Sequence, residues 1–489
     1  MRSLIWIGLL QALLMLVSLG RAKVLAVLLS APGFGVVATI DQLVTTVVQM
    51  GMLGLPFVAL KYMANANSRG SEQFRVVASR FAQTLLAFGA GWTIVVLSVL
   101  QWRPEWLGAT LAPYTAYLKI TAISIPATIG AIFTANALAA MQRPVAAVAI
   151  NLVVAFVVAA AGVFGVIQSG LIGFFFGTAV AGVISLAGAA LILCLGLGVT
   201  FIPSLRNDGI APAGSPGLVP TTAGVYLALA FSAASMFAIR LTVLGNLGEA
   251  AAGLYHGGIS IALSVGAILT TLANLYLVPI LNRQSLPAEK GLVAKEFVSK
   301  ITFLLIAGAL PVCCFPQTAM QVLYSPAFIP AAATLFLFVI WQCLFQIVYV
   351  YQQLLIGLDD AFCVAILALV GFGGSAIAAA VLTPAIGLIG APLGLILGAV
   401  IYAVLIGLRL QLTHRVSVST KVLMQSAWLL LIVSGAGLLF ASGDEHRFTA
   451  IAIRLAFAAT CLALTYVFFL RGQLGNWLPL RTFFQRAGR

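Results

Sequence analysis

The sequence predicts an all-α polytopic membrane protein of about fourteen transmembrane helices. They form two six-helix bundles related by a pseudo-two-fold axis along the membrane normal, plus two C-terminal helices. Three observations carry this expectation: the composition, the serial apolar runs, and the sidedness of the basic residues. Of 489 residues, 62% are hydrophobic and only 7% charged, with a mean hydropathy of +1.14. A soluble domain carries about 25% charged residues. So few charges cannot cover a water-exposed globule of this size, which disfavours soluble enzymes, secreted disulfide scaffolds, disordered chains and ordinary nucleic-acid binders.

The first element is an apolar run from Leu4 to Leu19 behind Arg2, followed by Arg21 and renewed hydrophobicity to Leu29. Its length and continuation make it an uncleaved first membrane helix rather than a signal peptide. A ruler of about 20 apolar residues per crossing then gives spans at about 3–30, 35–60, 81–101, 114–140, 144–167, 170–198, 222–247, 251–281, 301–320, 330–357, 361–383, 387–410, 421–441 and 448–470. The longer ones must tilt or project.

Net charge is +14, from 25 Lys and Arg against 11 Asp and Glu. Most of the basic residues fall on one side. They include Lys61, Arg69, Arg75, Arg80, Arg143, Arg206, Arg283, Lys290, Lys295, Lys300, Arg409, Arg415 and Lys421, with the tail residues Arg471, Arg481, Arg486 and Arg489. The opposite loops hold Arg103 and Arg447 beside Glu105, Glu249, Asp444 and Glu445. Positive loops resist translocation, so both termini are expected to be cytoplasmic. The asymmetry explains the basic pI, and no nucleic-acid partner is called for. The six cysteines lie in or at the edge of apolar runs without a CxxC spacing, and read as packing residues rather than metal ligands or a disulfide framework.

The chain repeats itself at an offset of about 220 residues, as transporters often do. Gly33 meets Gly253, and Arg75, Ser79 and Arg80 meet Lys295, Ser299 and Lys300; at one residue less, Arg21 falls on Arg240. The domains expected are residues 1–199, a first six-helix bundle; 200–221, a cytoplasmic linker with four prolines; 222–412, a second six-helix bundle; and 413–489, two further helices and a basic amphipathic tail.

The stretches Gly20-Arg21-Ala22-Lys23, Ser30-Ala31-Pro32-Gly33-Phe34-Gly35 and Met52-Leu53-Gly54-Leu55-Pro56 resemble the opening of Wzx-type polysaccharide flippases of the MOP/MATE-like exporter superfamily. Leu244-Gly245-Asn246-Leu247-Gly248, followed by Gly253-Leu254-Tyr255, is similar to that family's second repeat. The resemblance implies a transporter of the bacterial inner membrane, not an enzyme. It would move an undecaprenyl-pyrophosphate-linked oligosaccharide from the cytoplasmic to the periplasmic leaflet, by alternating access through a V-shaped cavity. Membrane lipids, a polysaccharide polymerase and other export machinery are the implied partners. The chain departs from the family pattern at Arg240, about where many members carry an acid, so no cation-coupling carboxylate is carried over to that position.

Charges inside spans cost about 2.5–3.5 kcal/mol at the bilayer centre, so each needs a reason. Arg21 and Arg240 sit at matching depths of the two halves, and guanidiniums offer paired donors suited to phosphate oxygens. They are the leading candidates for a substrate-binding cationic cavity, with Lys119 and Lys23 as further lining residues. Competing readings pair Arg21 with Asp41 and let Arg240 and Lys23 snorkel to the interface. Asp41 is either one half of an ion pair, with Arg21 or Lys119, or a coupling site for protons or sodium. Arg454 is expected to pair with Asp444 or Glu445, and Asp359-Asp360 to form a solvated turn. No cofactor or metal site is expected. Embedded Gln and Asn residues and Thr45 and Thr46 are expected to bond between helices, some of them to sugar hydroxyls.

Other cargoes and activities fit less well. A multidrug exporter favours an acidic cavity for cationic drugs, against the basic excess here. A lipid II flippase shares the same diphosphate chemistry. A membrane glycosyltransferase or polymerase needs a long outer loop with clustered acids, whereas 101–113 holds only Glu105. No pore-loop signature of a channel is present.

Overall fold

The computed structural model describes residues 2–52, 54–200, 218–284, 286–417, 419–440, 445 and 448–467, and among these there is no β-strand. In hydrocarbon every backbone N–H and C=O must be satisfied within the segment, which leaves the α-helix as the form for such apolar runs.

The helix α1 (Arg2–Gly51) is two spans joined at Ser30, where φ 55° and ψ −175° break the helix just before Pro32. In a straight helix Arg21 and Asp41 would stand about 30 Å apart; their side chains meet at 2.8 Å, so the chain reverses. Next come α2 (Leu55–Arg69), α3 (Ser71–Trp102) and the single turn α4 (Gly108–Leu111). The pair α5 (Thr115–Ala122) and α6 (Ile125–Ala140) forms one crossing bent by 47°. In α7 (Pro144–Leu191) the chain reverses at Ser169 and Gly170, and its arms pack so closely that a methyl on Gly165 would fall 1.9 Å from the Gly173 carbonyl.

After residues 201–217, which lie outside the described residues together with most of the expected linker, α8 (Leu218–Leu272) reverses at Gly248. The φ of 83° there is one that glycine adopts without Cβ strain. The chain continues through α9 (Val278–Arg283), α10 (Pro287–Cys314), the short α11 (Pro316–Leu323), α12 (Ala332–Gly357), α13 (Ala361–Ile386), α14 (Gly390–His414), α15 (Thr420–Phe440) and α16 (Phe448–Thr465). Among the described residues nine continuous helical stretches are long and apolar enough to cross a membrane. Four of them contain a reversal or tight turn and so cross twice, and the bent α5–α6 pair crosses once, which accounts for all fourteen expected spans.

Boundaries differ from expectation where polar turns extend an apolar core. The second crossing ends at Gly51 rather than near residue 60, because Gly54 turns left-handed and Pro56 starts α2. Residues 69–81 and 290–301, which hold Arg75, Arg80, Lys295 and Lys300, are largely the first turns of α3 and α10, projecting from the apolar part of each helix. The ninth span runs 287–314 rather than 301–320, because Pro316 opens a new helix.

α1 packs on α6 and α7, α8 on α12 and α13, and α1 against α8. α15 packs on α10 and α12, and α16 on α10. The repeat-related serines play matching parts. Ser79 accepts the Thr200 N–H at 2.9 Å, and Ser299 donates to Gln425 Oε1 at 2.9 Å. Each thus holds the segment that follows its set of six crossings. The basic tail with Arg471, Arg481, Arg486 and Arg489 lies outside the described residues.

Candidate functional site

The site forms where α1 meets α8. Small residues let the two backbones touch: a methyl on Gly35 would sit 2.2 Å from the Glu249 carbonyl, and one on Gly253 2.0 Å from that of Ala31. Phe34 fills the adjoining space, 5.0 Å from the His256 ring, 5.7 Å from Tyr324 and 5.5 Å from Phe328. Towards the basic face, Thr46 donates to the Ala233 carbonyl at 3.3 Å and Tyr226 to that of Met50 at 2.5 Å. At the opposite face Tyr114 donates to Glu249. α8 is therefore tied to α1 and to Tyr114 on both sides of the embedded charges.

Arg240 is 4% exposed. Its Nη2 donates to His256 Nδ1 at 3.0 Å, and its guanidinium carbon lies 5.5 Å from the Tyr255 ring centroid. Nε and Nη1 have no hydrogen-bonding partner. Arg21 pairs with Asp41 at 2.8 Å, with side chains 26% and 42% exposed, and stacks 5.3 Å from the Phe174 centroid. Its Nε is also buried without a partner. Arg240 and His256 thus meet across the reversal of α8, and Arg21 and Asp41 across that of α1, on two helices that pack against each other.

A half-open cleft of about 300 Å³ runs between α1, α5, α6 and α7. Arg21 and Asp41 stand in its wall, with hydroxyl residues on every neighbouring helix, among them Thr45, Thr121, Thr178 and Ser185.

Of the residues expected to line a cationic cavity, Arg21 stands in the cleft wall and Arg240 is buried against His256 and Tyr255, while Lys23 and Lys119 make their contacts elsewhere. Lys23 is exposed and donates to the Val322 carbonyl at the C-terminal end of α11, because two residues on a helix turn it away from Arg21. Lys119 bonds Gln101 Oε1 at 2.7 Å, near the end of α3. Asp41 takes the ion-pair position. Arg454 pairs with Glu445 at 3.0 Å, both side chains almost fully buried, while Asp444 lies outside the described residues. Asp360 is not merely solvated: Arg409 grips it at 2.7 and 3.2 Å, and His414 approaches to 3.1 Å.

Sequence reasoning missed His256, Thr121, Ser124, Thr128, Thr178 and Ser185. For His256 a signal was available, since it and Arg240 are equidistant from Gly248 and so meet across the reversal. The hydroxyl residues gave none, because serine and threonine are common in membrane helices.

No protein-family model and no curated protein matches the sequence. Solved structures do. A MATE protein in complex with MaL6 superposes with a TM-score of 0.61 at 15% identity, covering 89% of this chain and 96% of that one. The lipid II flippase MurJ in an inward closed conformation gives 0.60 at 12%, covering 96% and 100%. A MOP superfamily transporter from Pyrococcus furiosus, described as having a binding pocket of reverse polarity that suggests a different function, gives 0.57 at 15%, covering 88% and 94%. At these identities the likeness shows the fold: the chain has the architecture of MATE and MurJ proteins over nearly its whole length.

Proposed function

We propose that this protein is a flippase that carries a polyprenyl-diphosphate-linked oligosaccharide, such as an undecaprenyl-pyrophosphate repeat unit, from the cytoplasmic to the periplasmic leaflet. The observation that carries the reading is Arg240: a guanidinium buried between the two halves with two nitrogens unpaired. Removing such a charge from water costs several kcal/mol unless a partner compensates it. One neutral imidazole does not supply a negative charge, and a diphosphate does, through oxygens that match the guanidinium donors. Arg21, with an unpaired Nε of its own, stands in the adjoining cleft.

The mechanism follows from the packing of α1 on α8. The halves, taken as two six-helix lobes, rock about the α1–α8 contact so that the embedded arginines open to one face and then the other. The basic face is assigned to the cytoplasm by its charge. In the closed arrangement Arg240 is inaccessible, so the diphosphate enters only after the Thr46 and Tyr226 contacts part. No covalent chemistry is required. Neutralisation of Asp41 by Arg21 argues against a cationic drug as cargo. A polysaccharide polymerase would receive the product at the outer leaflet.

Deletion in the native host is expected to trap one lipid-linked glycan on the cytoplasmic leaflet. Arg240→Gln should insert normally and fail to complement. Normal surface glycan from the Arg21→Gln/Arg240→Gln double variant would overturn the proposal.

A further inference from the structure

The cleft beside Arg21 has a polarity unlike that of the guanidinium it adjoins. Its walls carry Asp41, Val44, Thr45 and Val48 from α1, with Asn151, Val154 and Val158 from α7, at helical spacings that turn one face of each helix inward. Residues between them, such as Val153 and Phe156, are exposed on the outer side of α7. The cleft is thus built from helix faces on which polar residues alternate with valine and alanine.

The hydroxyls on these faces are oriented. Thr45 donates to the Asp41 carbonyl at 2.8 Å, Thr121 to that of Tyr117 at 2.7 Å and Ser124 to that of Thr121 at 2.6 Å. Thr128 donates to the Ser124 carbonyl at 3.1 Å, and Thr178 to that of Phe175 at 3.0 Å. A hydroxyl has one donor and two acceptor sites. With every donor spent on its own helix, these five oxygens are left as acceptors, and no described group donates to them. Asn151 and Ser185 make no hydrogen bond among the described residues and keep both functions.

A wall of acceptors and valines repels phosphate oxygens away from Arg21, and an acyl chain would leave its hydroxyls unpaired. It suits a neutral ligand with several O–H or N–H donors and an apolar C–H surface to lie on the valines, and the volume is at the lower end for small-molecule sites, about 300–1,000 Å³. We infer that this cleft is a carbohydrate subsite that seats the sugar next to the diphosphate, with Asn151 and Ser185 as specificity-determining residues. The inference rests on the diphosphate reading of the arginines, since it is Arg21 that places the sugar beside the anion.

The test uses the full-length protein in lipid nanodiscs and two probes, a polyprenyl diphosphate that is bare and one that carries a single N-acetylhexosamine. The wild type should bind the glycosylated probe about tenfold more tightly, as expected when a site's hydrogen-bonding groups would otherwise go unpaired. Asn151→Leu and Ser185→Ala should each reduce that preference while leaving the bare probe's affinity unchanged, which also shows that the variants fold. Equal affinity of the wild type for both probes, or a full preference surviving in the double variant, overturns the subsite alone. Absence of bare-probe binding, or binding that Arg21→Gln does not weaken, overturns the diphosphate reading and the subsite with it.

Discussion

Arg240 and His256 lie equally far in sequence from Gly248, and the reversal at that glycine brings Nη2 of the one to 3.0 Å from Nδ1 of the other. A guanidinium only donates, so Nδ1 must accept. The imidazole is therefore neutral, with its proton on Nε2, and the charge of Arg240 stays uncompensated within the protein half to which it belongs.

Replacing Arg240 should therefore separate stability from transport. Arg240→Met removes a buried charge with two unpaired donors, so the desolvation cost it relieves offsets the one hydrogen bond to His256 that is lost. The melting temperature of the purified variant should be unchanged or raised while export is lost. A strongly lowered melting temperature would show that Arg240 is a structural residue.

The Arg21–Asp41 pair is partly exposed, so its contribution to stability should be about 1 kcal/mol or less. Asp41→Asn should release the Arg21 guanidinium and tighten binding of a polyprenyl diphosphate several-fold in a direct binding assay. A cation exporter would respond in the opposite sense, losing affinity for its cargo when the carboxylate is removed.

A second buried pair has a different role. Glu445 accepts the Gln317 N–H at 2.9 Å and the Thr318 N–H at 2.7 Å, capping the start of α11, while Arg454 bonds the Cys314 carbonyl and stacks near Phe315 and Phe440. Glu445→Gln leaves Arg454 buried without its counter-charge, an arrangement that costs about 3–5 kcal/mol. The thermal melt should show that loss, with much of it recovered in Glu445→Leu/Arg454→Met. Transport by the double variant should persist, because neither residue reaches the cleft.

Acid should weaken the α12–α13 junction. Burial opposes the charge on Asp360, but hydrogen bonds from Arg409 and His414 outweigh it and hold the carboxyl below its usual range. A depressed carboxyl stabilises the fold above its unfolded value, about 3.9, and that stabilisation disappears as pH falls through the lower folded value. Melting curves should therefore drop more steeply below about pH 4 for the wild type than for Asp360→Asn. Parallel curves would show that the cluster adds nothing to folding.

Much of the architecture was legible in the chain. The reversals at Ser30, Ser169–Gly170 and Gly248 fall between the spans that hydropathy alone separates, and the pairing of Arg21 with Asp41 follows from their similar distance to the first of them. Arg454 with Glu445 was legible for the same reason, as the acid lies in the turn that precedes its helix. Lys119 shows the limit: its depth was readable, but the direction of its side chain was not, whereas the two-residue step from Arg21 already turned Lys23 away.

That this chain crosses a membrane many times, where it turns, and which charges are stranded in hydrocarbon all follow from the order of its residues alone. Each of these is a local sum of transfer energies along the chain. That His256 rather than a carboxylate bonds Arg240, and that seven uncharged polar side chains from α1, α7 and the α5–α6 pair share one cleft with Arg21 and Asp41, emerges only once the helices pack. In a membrane the lipid-facing and protein-facing sides of a helix are both apolar, so the amphipathic period that marks a face in a soluble helix is missing. Rotation about each helix axis is set instead by close contacts such as Gly35 on Gly253, made between residues far apart in the chain.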